Sequence, residues 1–223
     1  MTFAATVRAV SLATAAVFAV SSAQAMTIAT NYLEADSIQT FSDEAIQALE
    51  LFQVVISPLG NATANAAAAN SFVLPITSIS VNSKLEITGG DAKGSALELS
   101  RMVNGVKKRL TLANFVIDYE NSMVYADTTP GGGVTSAKLP TFAFTKVNEL
   151  AIKYKFPLSI TADETLGTLK LTEEAMVAQI NALEVNEFLA RAVVPEIDFG
   201  TLYQNIKIKF RKAVSTKPYV PAP

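Results

Sequence analysis

The sequence predicts a mainly β, α+β fold: an antiparallel β-sandwich-like domain with two or three short helices. Three observations carry this. From Phe72 onward apolar residues recur with period two over most of the chain. Turn-forming clusters punctuate those runs, at 89–94, 120–122 and 128–136. Helical spacing appears only in short windows, each headed by a capping residue: Ser42, Thr172 and Asn186.

Residues 1–25 read as a secretory signal peptide. Arg8 is their only charge, an Ala-rich apolar run follows, and Ala23 and Ala25 stand at the −3 and −1 positions of a cleavage site. The run is too short and too Ala-rich to span a bilayer, which takes about 20 strongly apolar residues. No Cys follows the cut, so lipidation there is excluded. About 198 of the 223 residues remain, enough for one domain with a substantial core. We assign 26–214 to a single β-rich domain and 215–223 to an extended, disordered, Pro-rich tail.

Residues 26–41 are mixed in character. In 42–52, Ser42 caps, Asp43 and Glu44 suit the positive end of the helix dipole, and Ala45, Ile46, Leu49 and Phe52 share a face. A short apolar run, 54–56, ends at Pro58 and Gly60, and the Ala/Asn-rich stretch 61–71 reads as an exposed loop. Ile79, Val81, Leu85 and Ile87 alternate with polar residues as one half-buried strand, and 89–94 reads as a turn. Residues 109–127 read as a hairpin. Leu110 and Leu112 set one phase and Phe115, Ile117 and Tyr119 the opposite one, which predicts a bulge near Ala113 and Asn114. Leu150, Ile152, Tyr154, Phe156, Leu158 and Ile160 read as one buried row, with Pro157 marking an edge or bulge. Helical character returns over 172–193, and Ile206, Ile208 and Phe210 form a last apolar row.

Composition excludes several chemistries. The chain contains no Cys, His or Trp, so disulfides, thiolate nucleophiles, Cys-ligated metal, Ser-His-Asp triads and His-ligated haem are ruled out. Any catalysis would fall to carboxylates, Tyr, Lys, Ser or Thr, and the expectation is a non-enzyme without cofactor. Loss of Arg8 shifts the formal charge from −2 to −3, which gives no argument for nucleic acid. Asp198-Phe199-Gly200 lacks every other kinase motif, and 89–95 is followed by a strand where a phosphate loop needs a helix. Asp118, Glu120, Asn121 and Asp127 gather around one hairpin without EF-hand spacing, so they read as solvated turn residues and no metal site is assigned.

One constellation is a candidate binding site. Lys207, Lys209 and Arg211 alternate with the last apolar row, and Lys153 and Lys155 do the same in the 150–160 run. If those strands are neighbours, the five side chains make a positive stripe for an anionic surface polymer or ligand. The plainer reading is a solvated sheet face whose lysines guard an edge.

The run 95–129 (SALELSRMVNGVKKRLTLANFVIDYENSMVYADTT) resembles the central strands of HtaA-type exported haem-uptake domains, and also uncharacterised exported proteins of Gram-negative bacteria. It covers about 35 residues of 223. The resemblance implies a β-rich exported domain; with no His present, any haem ligand it implies would be a tyrosine, Tyr125 being nearest on this hairpin.

Together these features point to an exported bacterial protein, periplasmic or at the cell surface, with no transmembrane segment after signal removal. The expected role is non-catalytic and structural, with self-association; the alternative is a ligand-binding protein for an apolar or anionic ligand. Mass spectrometry of exported material should find Met26 as the first residue; an intact 1–25 segment would refute the assignment.

Overall fold

The structure, a computed structural model, describes residues 26–29, 34–82, 87–155, 159–207 and 214–222. It is mostly antiparallel β with three short helices, as the sequence predicts. The strands are β1 (Met26–Ala29), β2 (Glu34–Thr40), β3 (Val55–Gly60), β4 (Thr63–Ala64), β5 (Ser71–Pro75), β6 (Ser78–Val81), β7 (Ile87–Val103), β8 (Val106–Asp118), β9 (Met123–Pro130), β10 (Ser136–Lys155), β11 (Ser159–Leu171) and β12 (Thr201–Lys207). They form one sheet in the order β1-β6-β7-β8-β9-β10-β11-β12-β2-β5-β4, with β3 paired to the upper half of β7. The sheet curls until β5 approaches β7 and β3 approaches β4, giving a nearly closed, sandwich-like barrel.

The helices are α1 (Asp43–Leu51), α2 (Glu173–Leu183) and α3 (Glu187–Val193). Each begins at its predicted cap. Ser42 Oγ accepts from the Ala45 N–H at 3.0 Å, Thr172 Oγ1 from Ala175 at 3.2 Å and Asn186 Oδ1 from Leu189 at 2.9 Å. These bonds satisfy N–H groups that the helix itself leaves unpaired. Helix α2 lies on β8, β9 and β10, and its Met176, Ile180 and Leu183 enter the main core. Leu49 of α1 and Gln179 of α2 line the interior alongside strand residues, so the helices close that end of the barrel.

The long strands cannot stay flat around so tight a curl. They bend at bulges, where an extra residue takes a left-handed conformation. Gly94 (φ +79°) does so in β7, Asn114 (φ +53°) in β8 and Lys138 (φ +50°) in β10. The β8 bulge falls where the phase change predicts it, between Ala113 and Val116.

Several sequence expectations need correction. The 89–94 stretch is not a turn but part of β7, paired to β6 through Gly89, Gly90 and Asp91 and to β8 through 89–92. Pairing on both sides overrides the turn propensity of its glycines. The alternation from Ile79 to Ile87 is not one strand: β6 ends at Val81 and pairs with β7 from Ile87, and 83–86 lie outside the described residues. Likewise the 150–160 row is shared between two strands. β10 ends at Lys155 and β11 begins opposite it at Ser159, while Phe156, Pro157 and Leu158 lie outside the described residues. The 128–136 loop is shorter than expected, since β9 continues to Pro130. Residues 214–222, though extended, are docked on the barrel rather than disordered.

Leu166 is fully buried on the inner face of β11. Leu166→Ala should cost about 3 kcal/mol through lost burial plus the cavity left behind, read as a lower midpoint in urea unfolding.

Candidate functional site

The inner face of the barrel is apolar at the helix-capped end, where Leu166 and Leu202 lie side by side in register. One step further along the strands the pattern breaks. Glu164 of β11, Gln204 of β12 and Ser37 of β2 stand in register on the inner face, each at most 4% exposed. Beyond them Ala35, Ile76 and Ile79 form a second apolar cluster. A buried polar layer therefore separates two apolar ones.

The layer is hydrogen-bonded across the barrel. Tyr119, just past the end of β8, donates its hydroxyl to Glu164 Oε2 at 2.5 Å, and Gln204 Nε2 donates to Ser37 Oγ at 2.8 Å. Gln204 Oε1 has no partner. Burial pushes the Glu164 carboxyl above its ordinary range, against the opposing pull of the Tyr119 bond and the Lys146 charge. Burial and the adjacent carboxyl raise the Tyr119 phenol well above the usual tyrosine range, so it stays protonated and donates. Lys146 sits over the Tyr119 ring, 5.1 Å from its centre.

Little space remains inside. One interior cavity, lined by Phe41, Leu74, Leu97, Phe115 and Phe142 among others, is about 40 Å³. A second, beside Tyr119, Glu164 and Gln204, is about 10 Å³. Small-molecule sites usually enclose about 300–1,000 Å³.

The roomier concavities are outside, at the bulges. A side-chain relay joins them. Asn114 Oδ1 accepts from the Gly94 N–H at 3.1 Å, Asn114 Nδ2 donates to Asp127 Oδ2 at 2.9 Å, and Asp127 Oδ1 accepts from the Lys138 N–H at 3.0 Å. The N–H groups of Gly94 and Lys138, at two of the bulges, thus each find a side chain. The tail docks on the same asparagine through the backbone of Tyr219. Beside the tail runs a groove of about 430 Å³ between Glu98, Arg109, Thr111, Thr129 and the 130–135 loop. A second groove, about 490 Å³, lies on the other flank of Arg109 and reaches Glu184 at the end of α2. Two of its lysines are paired: Lys107 with Glu98 of the first groove at 2.7 Å, and Lys108 with Glu184 at 2.6 Å.

No protein-family model and no curated protein matches this chain. Among solved structures, the C-terminal domain of HtaA from Corynebacterium glutamicum is similar. The two superpose with a TM-score of 0.46 at 12% identity, over 78% of this chain and 98% of that domain.

The residues singled out from sequence fall as follows. β11 intervenes between the two lysine-bearing strands, so β10 and β12 are not neighbours. The register nevertheless sets Lys153 opposite Thr161 and Thr161 opposite Lys207. Lys155 lies opposite Ser159; Lys209 and Arg211 lie outside the described residues. Tyr125 lies on the outer side of β9, between the inward Val124 and Ala126. The acidic hairpin residues separate. Asp118 caps the turn, accepting from the Asn121 side-chain amide at 2.8 Å and from the Asn121 and Glu120 N–H groups at 3.0 Å, and these bonds hold its carboxyl below the ordinary range. Asp127 serves the bulge relay instead. The sequence reading missed Glu164 and Gln204; the signal was a polar residue at an inward position, as in Ala162-x-Glu164-x-Leu166.

Glu164 makes stability pH-dependent in a defined direction. Its folded-state carboxyl holds a proton at pH values where the unfolded chain, titrating near 4.5, has lost it. The stabilisation is complete below that unfolded value and is lost as pH rises through the folded one. Glu164→Gln should therefore unfold at a higher temperature than the parent at pH 8 and at about the same temperature near pH 4. A variant less stable at pH 8 would show that Glu164 is ionised in the folded protein.

Proposed function

We propose that this is an exported, non-catalytic structural protein of the bacterial surface or envelope, working through its outer face and associating with copies of itself. The observation that carries this reading is the filled interior, with cavities of about 40 and 10 Å³. A barrel packed that tightly serves as a scaffold rather than a container. The carboxyl groups support the non-catalytic part. Glu164 is sealed against Tyr119, while Glu98 and Glu184 lie in separate grooves, each paired to a lysine. Neither groove presents two facing carboxylates of the kind acid–base hydrolysis needs. Among the described residues, no helix is long and apolar enough to cross a membrane.

A second reading, capture of an anionic surface polymer, draws on the register that aligns Lys153 with Lys207 across Thr161. One pair of measurements separates the two. Sedimentation over a concentration series should show self-association. Thermal unfolding with fatty acids, lipids and an acidic polysaccharide should show no saturable shift. A ligand at a hundred times its Kd would add about 2.7 kcal/mol to stability. A shift with the acidic polysaccharide that added salt abolishes would favour the second reading; one with an apolar ligand would overturn the filled-scaffold argument.

A further inference from the structure

We propose that the helix-capped end of the barrel docks on the surface of an anionic phospholipid bilayer, with the tip of the β7–β8 hairpin entering the interface. The inference adds a partner to the envelope reading above and rests on it only for bringing the protein to such a surface. The ladder shows how far the tip stands out. On one side β3 begins at Val55, opposite Ser100, and on the other β9 ends at Pro130, opposite Leu110. Among the described residues, the last rungs of the hairpin have no strand beside them: Arg101 with Lys108, Met102 with Lys107 and Val103 with Val106. Such a stretch rises about 10 Å. Asn104 and Gly105 close it at φ +49° and +79°, the left-handed pair that turns a hairpin without splaying its strands. The tip is a projecting, well-formed wedge.

The wedge is apolar at its end and basic behind. Met102 and Val106 are 58% and 56% exposed. Residues 101–109 also hold Arg101, Lys107, Lys108 and Arg109 and no acid, in a chain whose net charge is −2. Behind Val106, the groove of about 490 Å³ is lined by Lys107, Lys108 and Arg109, with room for a lipid headgroup and its phosphate. Lys107 and Lys108 are paired with Glu98 and Glu184, but an ammonium has three donors, so each keeps hydrogens for a phosphate oxygen. On the neighbouring helices, Arg191 pairs with both Glu173 and Glu187 and offsets their charge toward an anionic surface.

Further exposed apolar side chains surround the wedge. Leu51 ends α1, and Val55 opens β3 beside Ser100. Val134 stands in the loop that follows β9. Phe188, 85% exposed, lies at the start of α3, just past the Glu184 that pairs with Lys108. These groups come from separate elements and form no continuous face of the kind a protein partner would cover with matching shape. A bilayer is fluid and closes around scattered apolar groups. Depth is limited, because the outer edges of the wedge carry backbone groups that no ladder pairs, and such groups do not enter hydrocarbon. The tip rests at the boundary of headgroups and acyl chains, about 5–10 Å deep. The contact is with a surface and not with a molecule taken inside, so singly dispersed lipid finds no site and the filled interior stands.

The test is co-sedimentation of the exported protein with vesicles of mixed phosphatidylglycerol and phosphatidylcholine, against phosphatidylcholine alone. The mixed vesicles should bind it, and added salt should release it. Lys107→Gln combined with Lys108→Gln should weaken that binding by about tenfold, and Met102→Ser combined with Val106→Thr by a similar factor. The substituted side chains reach solvent, so thermal midpoints should stay near that of the parent. The chain has no Cys, so a polarity-sensitive dye can be carried by Val106→Cys, or by Val147→Cys halfway along β10 as the control. On mixed vesicles the emission of the first should move to shorter wavelength and that of the second should not, whatever the stability of the multiple variants. The inference is overturned by absence of binding to mixed vesicles, by binding that the lysine changes leave intact, or by a dye shift at Val147 without one at Val106. It is also overturned if the same variants lose self-association while vesicle binding persists, which would make the wedge a protein contact. Self-association without vesicle binding removes this inference alone; vesicle binding by a protein that stays monomeric removes only the self-association.

Discussion

The alignment of three bulges is the constraint from which the rest of the architecture follows. Strands of 17, 13 and 20 residues (β7, β8 and β10) are too long to lie flat on one small core. They bend together because Gly94, Asn114 and Lys138 take left-handed conformations along one line of the sheet. Such a bend would orphan backbone N–H groups, and an orphaned group costs about 1–3 kcal/mol. Asn114 and Asp127 take up the two that matter, from Gly94 and Lys138. The curl, the enclosed core and the outer groove all depend on those two side chains.

The buried polar layer fixes what the bulges bend. Glu164, Gln204 and Ser37 occupy inward positions on three adjacent strands, and Tyr119 reaches Glu164 from the opposite wall. A one-residue slip of β11 or β12 would turn Glu164 or Gln204 outward and bring a different residue in. An apolar layer would tolerate several registers; this one penalises all but one, since any other leaves buried polar groups unpaired. The cost is a carboxyl whose charged form burial disfavours and a Gln204 oxygen with no partner.

Local chemistry was legible in the sequence, and chain reversal was not. Ser42, Thr172 and Asn186 start the helices because a cap needs only its own side chain and the next turn. The β8 bulge was legible because it flips the apolar phase within one strand. The rows 79–87 and 150–160 misled because alternation can stay in phase across a hairpin, so period two does not mark where the chain turns back. The glycines at 89–90 read as a turn, and only pairing with β6 and β8 makes them strand. Of the candidate site, the lysines were legible as charges. The groove was not, since it joins Asn114 to Tyr219 across 105 positions with no local pattern.

The two polar systems of this barrel do opposite work. Inside, Ser95 Oγ and Gln204 Oε1 are buried without partners and the two interior cavities hold about 40 and 10 Å³, so the interior can change little without breaking the packing around it. Outside, the bulge relay keeps a pair of donor and acceptor atoms aimed at whatever backbone lies across Asn114. The glycines beneath the tail answer first to the barrel itself: a Cβ on Gly60 would meet the Gly94 carbonyl oxygen at 2.1 Å, and one on Gly94 the Asn61 amide nitrogen at 2.5 Å. The residues that curve the sheet thereby also set the place where the chain's last segment lies against it.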